Sequence, residues 1–134
     1  SVPTVLRGGG SVLFLLDHRA RTKPVYAPFF GRPAACERSA SVLLRRLGVP
    51  LVFCACYQGE EDGKYALYVG PVYAPETLAR LDPARMAQLV NQHFETMILR
   101  HPEQYFWLHD RFRETPRQWS ELAAEAGPFG AGAD

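Results

Sequence analysis

No apolar run in this sequence approaches the roughly 20 residues that a membrane-spanning helix needs. Charge of one sign is lacking too: 15 basic and 14 acidic residues leave a formal net charge of +1, which gives no electrostatic case for nucleic acid. Cysteine is scarce and odd in number, at Cys36, Cys54 and Cys56. That excludes a paired disulfide framework, and no further ligands stand at a spacing that suits a metal. Cys54 and Cys56, two apart on a strand, share one face and are too close along an extended chain to bridge easily. Reduced core thiols, as in cytosolic proteins, are the expectation for all three. The chain shows no internal repeat, no signal peptide and no initiator methionine. The run Arg7-Gly8-Gly9-Gly10 lacks the spacing of a phosphate-binding fingerprint and reads as a loop.

What is present is enough for one core: 134 residues, 47% of them hydrophobic. A single domain over residues 1–126 is expected, with the Gly- and Ala-rich residues 127–134 as a flexible tail. The apolar run Ser11–Leu16, bounded by glycines and a charge, predicts a buried central strand over 11–17. Residues 50–57 and 64–70 predict two more strands, joined by the polar turn Gly59-Glu60-Glu61-Asp62-Gly63 into a hairpin. Pro33 and Ala34 open a predicted helix to about Leu47, with Ala40, Leu43, Leu44 and Leu47 on one stripe and Gly48 as the stop. Asp82-Pro83 starts a second helix to about Arg100, with Met86, Leu89, Val90, Phe94, Met97 and Ile98 inward. Trp119, Leu122 and Ala123 suggest a short helix after Pro116. The predicted class is α/β, a mixed sheet flanked by amphipathic helices.

Chemistry-bearing residues gather in three places. Asp17, His18 and Arg19 follow the first predicted strand, where the ligand crevice of an open α/β sheet lies. Arg21 and Lys23, close behind, could meet phosphate groups. The rigid loop Pro28-Phe29-Phe30-Gly31 either plugs the core or lines a groove for an apolar ligand. The stretch His101 to Phe112 places Tyr105, Phe106, Trp107 and Phe112 among Glu103, Gln104, His109, Asp110 and Arg111. It has to bury rings and still satisfy charges, so Tyr105, Trp107 and Phe112 are expected inside. His109 and Arg111 are expected to be hydrogen-bonded to acids or backbone carbonyls, with Glu95, Glu103 and Asp17 as the acids near them.

Those same residues carry a resemblance. Leu15-Leu16-Asp17, the loop Pro28-Phe29-Phe30-Gly31-Arg32-Pro33-Ala34, Asn91 with Glu95, and Pro102-Glu103-Gln104-Tyr105-Phe106-Trp107-Leu108-His109 with Arg111, Phe112 and Pro116 resemble, in order and spacing, the bacterial late acyltransferases of lipid A biosynthesis. These are lauroyl and myristoyl transferases of the lysophospholipid acyltransferase superfamily. His18 stands where that family usually has Gln, and Asp110 where it commonly has Arg or Lys. The resemblance implies the C-terminal part of a glycerolipid-acyltransferase-like fold. It implies transfer of a fatty acyl chain from acyl carrier protein or acyl-CoA to a hydroxyl of a lipid A precursor or related lysolipid, without cofactor or metal. It places the work at the cytoplasmic face of the bacterial inner membrane, through peripheral contact or an N-terminal anchor. The family's catalytic His-x4-Asp/Glu motif belongs upstream of Asp17, before this chain starts, so the chain alone is expected to be inactive.

Within the chain, Asp17, His18, Arg19, Phe29, Phe30 and Gly31 are then expected to bind substrate or support the site. Glu95, Glu103, Gln104, Tyr105, Trp107, His109, Arg111 and Phe112 are expected to form its structural wall. His109 and Glu114 also satisfy His-x4-Glu, but inside the closing signature, where no dyad is expected. Two other readings stand beside the enzyme: a non-catalytic lipid- or partner-binding module derived from one, and a thiol redox protein built on Cys54-Ala55-Cys56.

Overall fold

A computed structural model describes residues 1–112. The expected residues 113–126, the short helix after Pro116 and the tail therefore lie outside the described part. The elements run α1 (Val2–Arg7), β1 (Val25–Phe29), β2 (Arg32–Cys36), α2 (Arg38–Arg46), β3 (Leu51–Gln58), β4 (Tyr65–Tyr73), α3 (Pro75–Ala79) and α4 (Pro83–Ile98), with a 3-10 turn at Pro102–Gln104. The class is α/β, as the patterning indicated, but among the described residues the strands form two antiparallel pairs, β1–β2 and β3–β4, and no single mixed sheet.

Helix α4 is the element on which both pairs lie. Asp82 accepts the Arg85 N–H at 2.8 Å as its N-cap, and Pro83 takes the first turn, where a missing N–H is harmless. Met86, Leu89, Val90 and Met97 pack with Leu44, Phe53 and Leu78 in one cluster. Ala87 and Ile98 pack with Ala27, Phe29, Ala34 and Cys36 in the other. The small side chains of Ala27, Ala34 and Ala87 let the β1–β2 backbone come close to the helix.

Pro33 and Ala34 do not open a helix; they lie in β2, and α2 starts at Arg38. The reason is the turn before them. Phe30 and Gly31 both take positive φ, 48° and 71°, as a two-residue hairpin loop of the primed type requires. The ladder then pairs Phe29 with Arg32 and Pro28 with Pro33. In an antiparallel ladder hydrogen-bonded and non-hydrogen-bonded pairs alternate, and the pair flanking such a loop is bonded. The two prolines thus face each other where no N–H is needed.

The hairpin β3–β4 forms as expected, with a register irregularity between Val52 and Cys54. Its parity is as predicted and its facing is reversed: Phe53 and Tyr57 are buried, while Cys54 and Cys56 are exposed. Only Cys36 is a core thiol. The large rings take the helix side because they bury more apolar area than sulfur does. Ser11–Leu16 is likewise extended but forms no strand. Val12, Phe14 and Leu16 turn inward, whereas Leu13 and Leu15 are 82% and 73% exposed.

His93, on α4, stacks on Phe53 at 4.1 Å and lies 2.7 Å from the Tyr73 hydroxyl through Nε2. Burial lowers its pKa below the usual histidine value. The unfolded chain then binds a proton that the folded chain refuses. Stability from this site is whole above a pH of about 6.5 and declines as pH falls from there toward the folded value. Acid melts should show a shallower decline for His93→Gln than for the parent; identical declines would contradict this assignment.

Candidate functional site

The four stretches that carry the family resemblance meet around one end of α4. Glu95 accepts the Phe30 N–H at 2.7 Å, which ties the hairpin loop to the helix. One turn earlier, Asn91 donates through Nδ2 to the Pro28 carbonyl at 2.9 Å. Its Oδ1 accepts from Arg111 Nη2 at 3.2 Å. The Arg111 guanidinium also lies over the Phe29 ring at 4.4 Å and reaches the Cys36 sulfur at 3.8 Å. Both Asn91 and Arg111 are 1% exposed. Burial pushes the Cys36 thiol up, with Arg111 opposing, so the sulfur stays protonated. Among the described residues no carboxylate pairs with Arg111, and its Nε and Nη1 have no hydrogen-bond partner.

This is not the set of acids expected for Arg111. Glu95 is used on Phe30, and Glu103 lies against His101 Nδ1 at 3.2 Å. A side-chain amide takes the place of the carboxylate because it can accept from a guanidinium and donate to a carbonyl at once. The i, i+4 spacing of Asn91 and Glu95 shows in the sequence that they share a face. The role of Cys36 had no such signal.

The Asp17 end is joined to the closing signature through backbone. The Arg19 N–H donates to His109 Nε2 at 2.8 Å. With that lone pair engaged, His109 carries its proton on Nδ1 and has no free Nε2 to act as a base. That weighs against a His109 and Glu114 dyad, of which Glu114 lies outside the described residues. Asp17 lines a cavity of about 360 Å³ together with His101, Gln104 and Tyr105 at its polar end. Burial raises the Tyr105 pKa, with the Arg111 charge opposing the shift and Asp17 adding to it. Gln104 brackets the end of β3, accepting the Gln58 N–H at 2.8 Å and donating to its carbonyl at 3.1 Å.

The aromatic loop plugs the core in part. Phe29 is buried and edges against Phe30 at 4.8 Å and Phe112 at 6.0 Å. Phe30 lies between Phe29 and Trp107, with Gly31 and His18 at the surface. Tyr105 and Phe112 are half-buried, and Arg32 lies over the Phe112 ring at 4.3 Å. Trp107, expected inside, is 54% exposed and donates its Nε1–H to the Pro102 carbonyl at 2.7 Å. The turn Pro102–Gln104 swings it outward, where the indole closes its own loop. Trp107→Ala should therefore lower stability by about 1–2 kcal/mol, below the 3–5 of a buried tryptophan. A thermal melt reads the difference.

A family model described as bacterial lipid A biosynthesis acyltransferase matches residues 2–114. The chain belongs to that family. Among the family's curated members, the lipid A biosynthesis lauroyltransferase of Escherichia coli K12 is 32% identical over 114 residues, which is 83% of this chain and 36% of that protein. The palmitoleoyltransferase of the same strain is 29% identical over 119 residues, 87% of this chain and 38% of its own length. A lipid A biosynthesis acyltransferase of Shigella flexneri matches to the same extent. The chain thus spans little more than a third of the length of these acyltransferases.

Proposed function

We propose that this chain is part of an acyltransferase that moves a fatty acyl chain from acyl carrier protein, or acyl-CoA, to a hydroxyl of a lipid A precursor or related lysolipid. The observation that carries the reading is the convergence of Asp17–Arg19, the Phe29-Phe30 loop, Asn91 with Glu95, and Tyr105–Phe112 at one place, in a chain of this family.

In the proposed reaction the acceptor hydroxyl attacks the thioester carbonyl. A histidine of the His-x4-Asp/Glu motif, expected upstream of these residues, takes the hydroxyl proton, the ester bond forms and the donor thiolate leaves. No covalent enzyme intermediate is needed. Asp17, which lines the cavity, faces the acceptor or supports that histidine. Arg19, Arg21 and Lys23 follow it and suit the phosphates of such an acceptor. Phe106, Trp107 and Leu108 are exposed side by side, which supports peripheral contact with a lipid surface at the cytoplasmic face of the inner membrane.

The test is transfer of a labelled acyl group from acyl carrier protein to a lipid A precursor. A protein of the relatives' length that contains this chain should turn over, and Asp17→Asn should lower its rate on the order of 10²-fold. The 134 residues alone should give background. Turnover by those residues alone, abolished by His109→Ala, would overturn the reading and restore the His109 dyad.

A further inference from the structure

The segment Ser11–Asp17 has the composition of a buried strand and no strand partner. Between described residues, no backbone N–H or C=O from Ser11 to His18 takes part in a hydrogen bond. Apolar segments seldom leave their backbone unpaired. Beside it lies β3, which among the described residues pairs with β4 alone and so leaves one edge open there. The two run in parallel. Ser11, Val12 and Phe14 share a cavity of about 380 Å³ with Leu51 and Val52, and Leu13 to Asp17 share the 360 Å³ cavity with Cys54 to Tyr57. Phe94, Met97 and Ile98 of α4 floor one end, and Leu44 and Leu47 floor the other.

Gln104 shows which backbone groups look into this groove. Its primary amide bonds both the N–H and the C=O of Gln58, as a neighbouring strand would. Along an extended strand the backbone groups of alternate residues point to the same edge. The N–H and C=O of Cys56 and Cys54 therefore face the groove too, with no hydrogen-bond partner among the described residues.

We infer that this groove is the seat of one further β-strand, an apolar extended segment supplied by the portion of a lipid A acyltransferase's length that these residues do not span. Because the two walls run in parallel, one inserted strand pairs with both in the same sense. Its inward side chains meet Phe94, Met97 and Leu44. Its outward ones join Leu13, Leu15, Cys54 and Cys56 in a continuous face. A fatty acyl chain would fill the apolar space but offers the open N–H and C=O groups no partner, so a polypeptide fits better. The relatives carry about 62% of their length outside the matched stretch, ample for such a strand and for a layer over its outer face. The inference rests on family membership and stands whether or not the protein transfers acyl groups.

Amide hydrogen exchange tests it. In the 134 residues alone, the amides of Leu13–Leu16, Cys54 and Cys56 should exchange freely, and those of Ala55 and Tyr57, turned toward β4, should be protected. In a protein of the relatives' length containing this chain, exchange at Cys54, Cys56 and one alternate pair among Leu13–Leu16, the pair turned to the groove, should slow on the order of 10³-fold. Equal exchange in the two, or protection that arises in the 134 residues as their concentration is raised, would overturn it; the latter would assign the groove to a second copy. A second variant keeps the test sound if the 134 residues do not fold alone. In the longer protein Cys56→Pro removes an inserted strand's partner N–H and should lower the melting temperature sharply, whereas a true edge strand tolerates proline. A Cys56→Pro protein that melts with the parent would contradict the inserted strand.

Discussion

Asn91→Ala is expected to lower stability by about 3–5 kcal/mol, although it removes only a small neutral side chain. The Arg111 guanidinium is fully buried, and Asn91 Oδ1 accepts from it at 3.2 Å. Alanine takes away the oxygen that accepts from that charge and leaves the Pro28 carbonyl without its donor. The charge, rather than lost contact area, is the source of the penalty. Arg111→Met should accordingly be milder than Asn91→Ala, since a thioether fills much of the same channel without needing a partner. In the Arg111→Met background, Asn91→Ala should cost well under half of what it costs alone. Chemical denaturation of the four proteins of this cycle measures the coupling; additive losses would show that the two residues act independently.

Phe29→Ala should have an effect of similar size, about 3–5 kcal/mol, by a different route. Phe29 is buried where β1, the closing signature and α4 converge, and its ring meets Phe30, Phe112 and the Arg111 guanidinium. Truncation opens a cavity bounded by a hairpin and a helix whose facing residues are already small, so little can move in to fill it. It also removes the ring face on which the guanidinium rests. Phe29→Leu keeps most of the volume and should recover more than half of the loss. A melt in which leucine and alanine are equally damaging would mean that ring geometry, not volume, decides.

The parts of the structure legible in the sequence are those where a local pattern settles its own outcome. The cap and apolar stripe of Asp82–Ile98 and the turn between β3 and β4 are of this kind. Where two elements compete for one surface, the pattern gave periodicity without facing. Cys54 and Cys56 share a side as expected, but Phe53 and Tyr57 took the helix. Pro33-Ala34 has a helix-opening pair and became a strand because the positive φ values of Phe30 and Gly31 fold the chain back first. Ser11–Leu16 has the composition of a central strand but finds no partner among the described residues. In the site, the stretches that carry the resemblance adjoin one another, and Arg111 is buried while Trp107, expected inside, is exposed. Its partner was missed because an acid was the natural expectation, and the need to donate to Pro28 as well selects an amide.

Under the proposed function, the closing signature holds the site together and does not itself take part in the reaction. Turnover per folded molecule of Asn91→Ala, in a protein of the relatives' length and at a temperature where it is still folded, tests that most directly. The account predicts a clearly lowered melting temperature with turnover per folded molecule within a few-fold of the parent. An unchanged melt with turnover lost would contradict it, and would place Asn91 and Arg111 against the substrate.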